Sequence, residues 1–277
     1  MKLASINGRA TVIVDNRLVD VEKASGGELS VDPMKHLGSI AALESLDVPD
    51  GAPGIEGAIF DAPVPRPSKV LGIGLNYRKH AEETGMPIPD EPVVFAKFPN
   101  AICGPNDDIV VPAATKQIDW EAELVAVIGK SGAQISAGAA WDHVAGFVCG
   151  QDVSDREEQF RGVKQFTFGK SYDSFAPLGP YVVTLDELDD REDLRISCSI
   201  NGETVQDSRT SDFIFSIPEI IEWLTRYATL NVGDLIFTGT PSGVGTAMDP
   251  PRYLEPGMVV GTEIEGLGSM RNTCVSG

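Results

Sequence analysis

The chain has 277 residues, and 22 lysines and arginines against 41 aspartates and glutamates give it a formal charge of −19. Such acidity argues against duplex nucleic-acid binding, which needs a basic surface to neutralise phosphates. No apolar run reaches the roughly 18 residues of a membrane span. The four cysteines contain no C-x-x-C pair, and with only three histidines any metal must be held mainly by oxygens. We therefore expect a cytoplasmic protein.

Residues 1–65 predict a small N-terminal α/β domain that ends in a linker rich in proline and glycine. LASIN, ATVIV and RLVDV are typical of short strands. The pairs Asn7-Gly8 and Asp15-Asn16 between them indicate hairpin turns. The following segment, PMKHLGSIAALESL, predicts a helix.

Residues 66–277 predict the main domain, in which strand and turn signals alternate at short spacing. The candidate strands are KVLGIGL, PVVFAKF, DIVVP, WEAELVAVIG, VAGFVCGQD, PYVVT, LRISCSI and DLIFTG. Asn201-Gly202 indicates a type I′ hairpin after LRISCSI. SIPEIIEWLTRYATL predicts the clearest helix, because Ser216 and Glu219 form a capping box. The fold class is therefore α+β and strand-dominated.

Two shorter helices are predicted from their capping residues. NYRKHAEETG predicts one that Asn76 opens and Gly85 closes. The other is expected to begin at Ser154, with Glu157 as its capping-box partner.

A cluster of carboxylates stands at the start of an apolar strand. In QIDWEAELVAVIGK, Asp119, Glu121 and Glu123 alternate with other residues, so on a strand they would share one face. A second apolar run, VAGFVCGQD, ends in Asp152. Two glutamates and this aspartate could form an all-oxygen site for Mg²⁺ or Mn²⁺. By spacing alone, a solvated acidic strand edge is an equally good interpretation.

Five segments occur in one order across about residues 70–270: GLNYRKHAEE, IDWEAELVAVIGK, GQDVSDREEQ, FGKSYDSFAPLGP and IFTGTPSGVG. Together they resemble the fumarylacetoacetate hydrolase family, most closely its short bacterial and mitochondrial members that act on 2-oxo acids. The resemblance implies a twisted mixed β-sheet roll, a homodimer and a divalent metal, Mg²⁺ or Mn²⁺. It assigns the metal ligands to Glu121, Glu123 and Asp152.

The catalytic candidates are His80, Glu83 and Lys170. His80 and Glu83 are three residues apart on the predicted helix and can hydrogen-bond, as a general base and its orienting carboxylate require, although an isolated pair of this kind usually belongs to a charged surface helix. In the family such a pair lies on a lid, which implies water activation. Lys170 could extend from a sheet edge to solvent, but the resemblance places it beside the metal, where it would stabilise enolate or oxyanion charge.

Four residues are candidate substrate contacts. Arg156 and Gln159 are three apart after Asp152 and suit a carboxylate or keto oxygen, or else they lie on an exposed helix face. Tyr77 and Thr240 lie in turns that match the family motifs.

The sequence thus predicts a metal-dependent hydrolase that cleaves a carbon–carbon bond of a β-diketo acid, either an acylpyruvate or a diketo-deoxy sugar acid. Its partner would be a small anionic 2-oxo or diketo acid, with no nucleic acid and no membrane involved. Two outcomes at the same metal site remain open: decarboxylation of oxaloacetate-like acids and tautomerisation of 2-hydroxydienoates. A non-catalytic protein that binds a metal or ligand is the alternative of another class.

Overall fold

The computed structural model describes residues 1–162 and 165–277. The strands are β1 Lys2–Ile6, β2 Arg9–Val14, β3 Arg17–Asp20, β4 Val70–Gly74, β5 Val93–Lys97, β6 Ile102–Cys103, β7 Ile109–Val111, β8 Ile118–Asp119, β9 Ala122–Ile128, β10 Val144–Gln151, β11 Ser154–Asp155, β12 Ala176–Val183, β13 Arg195–Ile200, β14 Glu203–Arg209, β15 Leu235–Phe237, β16 Val259–Ile264 and β17 Gly268–Ser276. The α-helices are α1 Val21–Ala24, α2 Arg78–Thr84, α3 Arg156–Phe160, α4 Phe166–Gly169 and α5 Ile217–Thr225. Short 3₁₀ segments are Pro33–Lys35, Ile40–Leu43, Pro99–Ala101, Ala137–His143, Leu185–Glu187, Thr210–Asp212 and Gly245–Ala247.

Three sheets organise the chain. The largest has ten strands in the order β3-β2-β1-β12-β10-β9-β15-β4-β5, with β6 pairing β12 to the side. A five-stranded sheet runs β14-β13-β16-β17-β7, and β11 pairs β8 in a two-stranded ribbon. Parallel pairs, such as β15 with β4, occur beside antiparallel ones, so the sheets are mixed. The predicted strand-dominated α+β fold is confirmed. In the described part of the chain, no helix has the length and apolar character needed to cross a bilayer.

The N-terminal strands join the large sheet directly, because β1 pairs with both β2 and β12. The predicted turns are present, with positive φ angles at Asn7, Asp15 and Asn16. The helix predicted in PMKHLGSIAALESL is wrong, since that segment forms only two 3₁₀ turns. Gly38 lies between these turns and disfavours a continuous helix. The division of the chain between residues 65 and 66 stays a prediction.

Strand β9 lies in the middle of the large sheet, and all seven of its residues are buried. It pairs with β10 on one side and with β15 on the other. A strand covered on both faces tolerates a continuous apolar run, as the sequence LVAVI shows. Glu123 and Gln151 therefore lie near the ends of two strands that are anchored in the buried core.

The helices begin and end where their capping residues allow. Ser216 and Glu219 form the predicted capping box of α5. Gly85 closes α2 in the left-handed conformation, as predicted, but the helix begins after Tyr77 and not at Asn76. The expected start of α3 at Ser154 is also wrong: Asp155 caps it by accepting the N–H groups of the first turn. Ser154 instead pairs with β8 as part of β11.

Candidate active site and metal centre

Three buried carboxylates meet where β9 begins and β10 ends. Glu121, Glu123 and Asp152 each offer an oxygen, and these oxygens lie within 4.8 Å of one another. The antiparallel pairing of β9 and β10 brings them together, because the β10 residue Gln151 lies opposite Ala122. The backbone N–H of Asp152 also donates to the carbonyl of Glu121 at 2.9 Å. The convergence predicted from two separate segments is therefore present.

Asp119 does not belong to this cluster, so the expectation of three alternating carboxylates on one strand face is wrong. The strand is interrupted between β8 and β9, at Trp120 and Glu121. Asp119 accepts the backbone N–H groups of Gly245 and Thr246 at 2.7 and 3.0 Å. It binds the buried Arg156 as well. It therefore holds a loop and a guanidinium in place.

Three buried cations face the carboxylates. Lys170 Nζ lies 2.8 Å from Glu121 Oε2, 2.6 Å from Asp152 Oδ2 and 2.8 Å from the Ser154 hydroxyl. Arg156 Nη1 lies 2.7 Å from Glu121 Oε1, and Lys97 Nζ donates to Asp152 Oδ1 at 2.5 Å. Lys97 was missed by the sequence analysis. The one available signal was a single charged residue in the apolar run VVFAKF.

These contacts shift the pKa values of the buried groups in different directions. Burial favours the neutral form of Glu121, but Lys170 and Arg156 outweigh it and lower its pKa to about 2. Burial, together with the charges of Asp152 and Glu121, raises the pKa of Glu123 well above its usual value. Burial opposes the charge of Lys170, yet the neighbouring carboxylates raise its pKa overall. Lys170 is therefore an ammonium at neutral pH.

The donor set fits a hard divalent cation. All three groups are carboxylates, which Mg²⁺ and Mn²⁺ prefer as ligands. Among the described residues, Glu123 accepts one hydrogen bond, from the N–H of Gly239 at 2.8 Å, and has no cationic partner within salt-bridge distance. The raised pKa of Glu123 favours its protonated form when no cation is bound, and a divalent cation beside it would displace that proton.

Glu121 and Glu123 line a cavity of about 380 Å³, whereas Asp152 is fully buried beside them and does not line it. Six further predicted residues also line it, so eight of the ten predicted site residues meet there: His80, Glu83, Lys170, Arg156, Gln159 and Thr240 join the two glutamates. His80 Nδ1 and Glu83 Oε2 are 3.2 Å apart on α2. The other oxygen of Glu83 accepts the N–H of Gly243 at 2.9 Å, which fastens α2 to the loop after β15.

The predicted substrate contact Tyr77 is not among the residues that line this cavity. Its ring is fully buried and packs edge-on against Phe213, with centroids 4.8 Å apart. Its hydroxyl has no hydrogen-bond partner among the described groups. Tyr77 precedes α2 in an extended conformation, which turns its side chain into the protein interior.

The remaining wall of the cavity is largely apolar. It includes Val93, Phe95 and Phe166, with the two rings 5.9 Å apart at their centroids. Lys170 Nζ lies 4.8 Å from the centre of the Phe95 ring, so this wall begins directly beside the charged cluster. The cavity therefore combines a charged cluster with an adjoining apolar wall.

Comparison with known proteins finds relatives whose names state an activity. The chain is 47% identical over 217 residues to bovine "Oxaloacetate tautomerase FAHD2A, mitochondrial", covering 78% of this chain and 69% of that protein. The expected cytoplasmic location is wrong by this comparison, because this and similar relatives are named as mitochondrial. Free cysteines and the lack of a long apolar run are compatible with more than one compartment, so composition did not decide it.

Solved structures agree over the whole chain. A fumarylacetoacetate hydrolase from Exiguobacterium antarcticum has a TM-score of 0.87 at 33% identity, with 100% of both chains covered. Maleylpyruvate hydrolase from Sphingobium, in complex with manganese(II) and pyruvate, has a TM-score of 0.81 at 27% identity and the same coverage. The family described as "Fumarylacetoacetate (FAA) hydrolase C-terminal" matches residues 69–275, and the chain belongs to this family.

Proposed function

We propose that the chain is a tautomerase that interconverts the keto and enol forms of a small 2-oxo acid of the oxaloacetate type at a divalent-cation site. The observation that carries this proposal is one cavity that combines a buried carboxylate cluster, a protonated lysine and a histidine–glutamate pair. The name of the bovine relative supports the same reaction class.

Glu121, Glu123 and Asp152 would hold the cation, Mg²⁺ or Mn²⁺. When bound, such a cation supplies Lewis acidity toward the carboxylate and 2-oxo oxygens of the substrate. It also explains how an acidic protein can accept an anionic substrate, since the local field is then positive. The manganese complex of the Sphingobium relative supports a divalent ion of this kind.

Lys170 and Arg156 would stabilise negative charge on the substrate. The raised pKa of Lys170 keeps its ammonium protonated, so its positive charge would stabilise an oxygen that gains negative charge as the enolate forms. Arg156 Nη1 donates to Gln159 Oε1 at 2.8 Å, which presents the guanidinium and the amide as one polar surface of the cavity. These two side chains, together with Thr240, are the proposed contacts to the substrate carboxylate and keto oxygen.

His80 would move the proton. Its Nδ1 is paired with Glu83, which leaves Nε2 as the nitrogen that can exchange a proton with the substrate. In the keto-to-enol direction, Nε2 would take a proton from the carbon next to the carbonyl and then return a proton to the enolate oxygen, so that the imidazole ends in its starting state. The bond from Gly243 to Glu83 keeps the pair oriented while the proton moves.

The test follows the ultraviolet absorbance of enol-oxaloacetate as it converts to the keto form, with Mn²⁺ and with EDTA. We expect conversion well above the buffer rate with Mn²⁺ and its loss in EDTA. His80→Ala should lose it while still binding Mn²⁺. Conversion that is unchanged in EDTA or in His80→Ala would contradict the proposal. A pyruvate assay on the same samples detects decarboxylation.

Hydrolysis of a carbon–carbon bond in a β-diketo acid is the second candidate. The size of the cavity favours it, because about 380 Å³ with an apolar side wall leaves room for an acyl group beyond the 2-oxo acid. Here the histidine–glutamate pair would activate water for attack on the distal carbonyl, and Lys170 would stabilise the expelled enolate. Stoichiometric release of pyruvate and a carboxylic acid from an acylpyruvate would distinguish hydrolysis from tautomerisation.

We also propose that the protein acts as a homodimer, with a second copy covering an apolar patch beside the cavity. The patch surrounds β5, an edge strand of the large sheet, and an uncovered apolar edge favours association. Phe168 is 67% exposed and packs edge-on against Phe98. The exposed members of the patch are Met86, Ile88, Val93, Val94, Phe98, Phe160 and Phe168. Light scattering tests this proposal, with a dimer as the expected mass.

A further inference from the structure

The chain between β8 and β9 needs hydrogen-bond partners from outside the strand ladder. Trp120 and Glu121 lie outside both strands, yet both residues are buried. A buried N–H group without a partner is costly, so this break is stable only if other groups satisfy its amides. Asp119 Oδ1 accepts the N–H of Trp120 at 2.8 Å, and two glutamine side chains accept the next two N–H groups, those of Glu121 and of Ala122, the first residue of β9.

Gln151, the last residue of β10, holds the first of these amides. Its Oε1 accepts the N–H of Glu121 at 3.0 Å, and its Nε2 donates to the hydroxyl of Thr262 on β16 at 2.9 Å. The side chain is fully buried. It thereby connects the five-stranded sheet to the backbone of a proposed cation ligand.

Gln206 on β14 holds the second amide and closes a ring of hydrogen bonds. Its Oε1 accepts the N–H of Ala122 at 3.0 Å, and its Nε2 donates to the Thr240 hydroxyl at 2.9 Å. That hydroxyl donates in turn to the carbonyl of Ala122 at 3.0 Å. Nε2 also donates to the Pro241 carbonyl at 2.9 Å. The same side chain therefore fixes the strand that carries Glu123 and the loop that lines the cavity.

We propose that Gln151 and Gln206 are positioning residues for the cation site. By holding two successive peptide groups at the strand break, they set the direction in which the Glu121 carboxylate leaves the backbone. The Glu123 carboxylate, on the strand that starts there, is set with it. Groups that orient metal ligands typically change metal affinity by about 10–100-fold when they are removed. This proposal rests on the cation site proposed above.

The test measures the dissociation constant of Mn²⁺ by electron paramagnetic resonance, in which free Mn²⁺ gives the signal. The variants are Gln151→Met and Gln206→Met, which keep the approximate volume and remove the amide. The matched control is Asn272→Leu, which removes a buried amide from β17, in the same five-stranded sheet as Gln206, where it donates to the carbonyls of Gly104 and Asp107. Thermal unfolding of all three variants reports how much each change costs the fold.

We expect each glutamine variant to bind Mn²⁺ about tenfold more weakly or worse, with the control within twofold of the unchanged chain. Glutamine variants that fold and bind Mn²⁺ like the control would overturn the proposal and leave the cation site intact. If only one of them folds, the result is taken from that variant. Failure of both to fold would overturn it too, because the amides would then hold the fold as a whole. Lack of Mn²⁺ binding by the unchanged chain would instead refute the cation site itself.

Discussion

Replacing Lys170 with methionine tests whether a bound divalent cation can compensate the negative charge that the lysine ammonium otherwise compensates. The ammonium of Lys170 contacts Glu121, Asp152 and the Ser154 hydroxyl at 2.6–2.8 Å, and it is 2% exposed. Removing one partner of a buried ion pair leaves an uncompensated charge and costs about 3–5 kcal/mol. In EDTA, the free energy of unfolding of Lys170→Met should therefore fall by about that amount, which corresponds to roughly 6–20 °C in Tm.

Mn²⁺ should reverse part of this loss. Without the ammonium, a divalent cation at the cluster no longer faces a neighbouring like charge, so Lys170→Met should bind Mn²⁺ more tightly. A tenfold gain in affinity recovers about 1.4 kcal/mol at saturation. Tautomerase activity should still be lost, because no ammonium remains to stabilise the enolate. Chemical denaturation in EDTA and in excess Mn²⁺ measures both effects.

Lys69→Met is the matched control. Lys69 Nζ lies 2.7 Å from Asp234 Oδ2, and that aspartate is fully buried, so this substitution also breaks a lysine–carboxylate pair. The pair lies at the far end of β9, where the N–H of Ile128 donates to the Asp234 carbonyl. The decrease in the free energy of unfolding that Lys69→Met causes should be the same in EDTA and in Mn²⁺. An equal deficit under both conditions for Lys170→Met, or no deficit in EDTA, would refute the reasoning.

The remaining predictions concern single features of the chain. Glu123→Ala should abolish detectable Mn²⁺ binding and activity together, and activity that persists would exclude the cation site. Glu83→Gln should lower kcat by at least about tenfold with unchanged Mn²⁺ affinity, since it weakens the base but not the ligands. Phe168→Asp should shift the light-scattering mass from dimer to monomer; an unchanged mass would place the interface elsewhere. Arg9 lowers the pKa of Asp20 below its usual 3.8, so that pair stabilises the fold above this value and its contribution is lost as the pH falls through the lowered pKa. The difference in unfolding free energy between the unchanged chain and Arg9→Met should accordingly shrink in acid, and a constant difference would contradict the assignment.

Local patterns predicted most of the strands and the three carboxylates that converge, while their assignment as metal ligands stays a prediction. Short apolar runs between hairpin turns specify strands whatever they pair with, and Asn201-Gly202 turns with positive φ as its sequence indicates. Glu121 and Glu123 were identified by their spacing and Asp152 by its place at the end of an apolar run. Spacing alone left a solvated strand edge as an equally good interpretation, and the resemblance to the family decided between the two.

Features that depend on tertiary pairing could not be read in this way. Asp119 was expected beside the two glutamates because the sequence does not reveal that the strand breaks at Trp120. That break is stabilised by Gln151 and Gln206, which come from distant segments. Lys97 lies on β5, which β9, β15 and β4 separate from β10 in the sheet order, and its Nζ nevertheless contacts Asp152. Such contacts follow from sheet order, which no local pattern encodes.

Crystals grown with MnCl₂ would reveal a bound cation through the anomalous scattering of manganese. We expect one strong peak beside the cavity, about 2.0–2.3 Å from a carboxylate oxygen of each of Glu121, Glu123 and Asp152. No peak at that position, with Lys170 still bonded to Glu121 and Asp152 at saturating manganese, would contradict it.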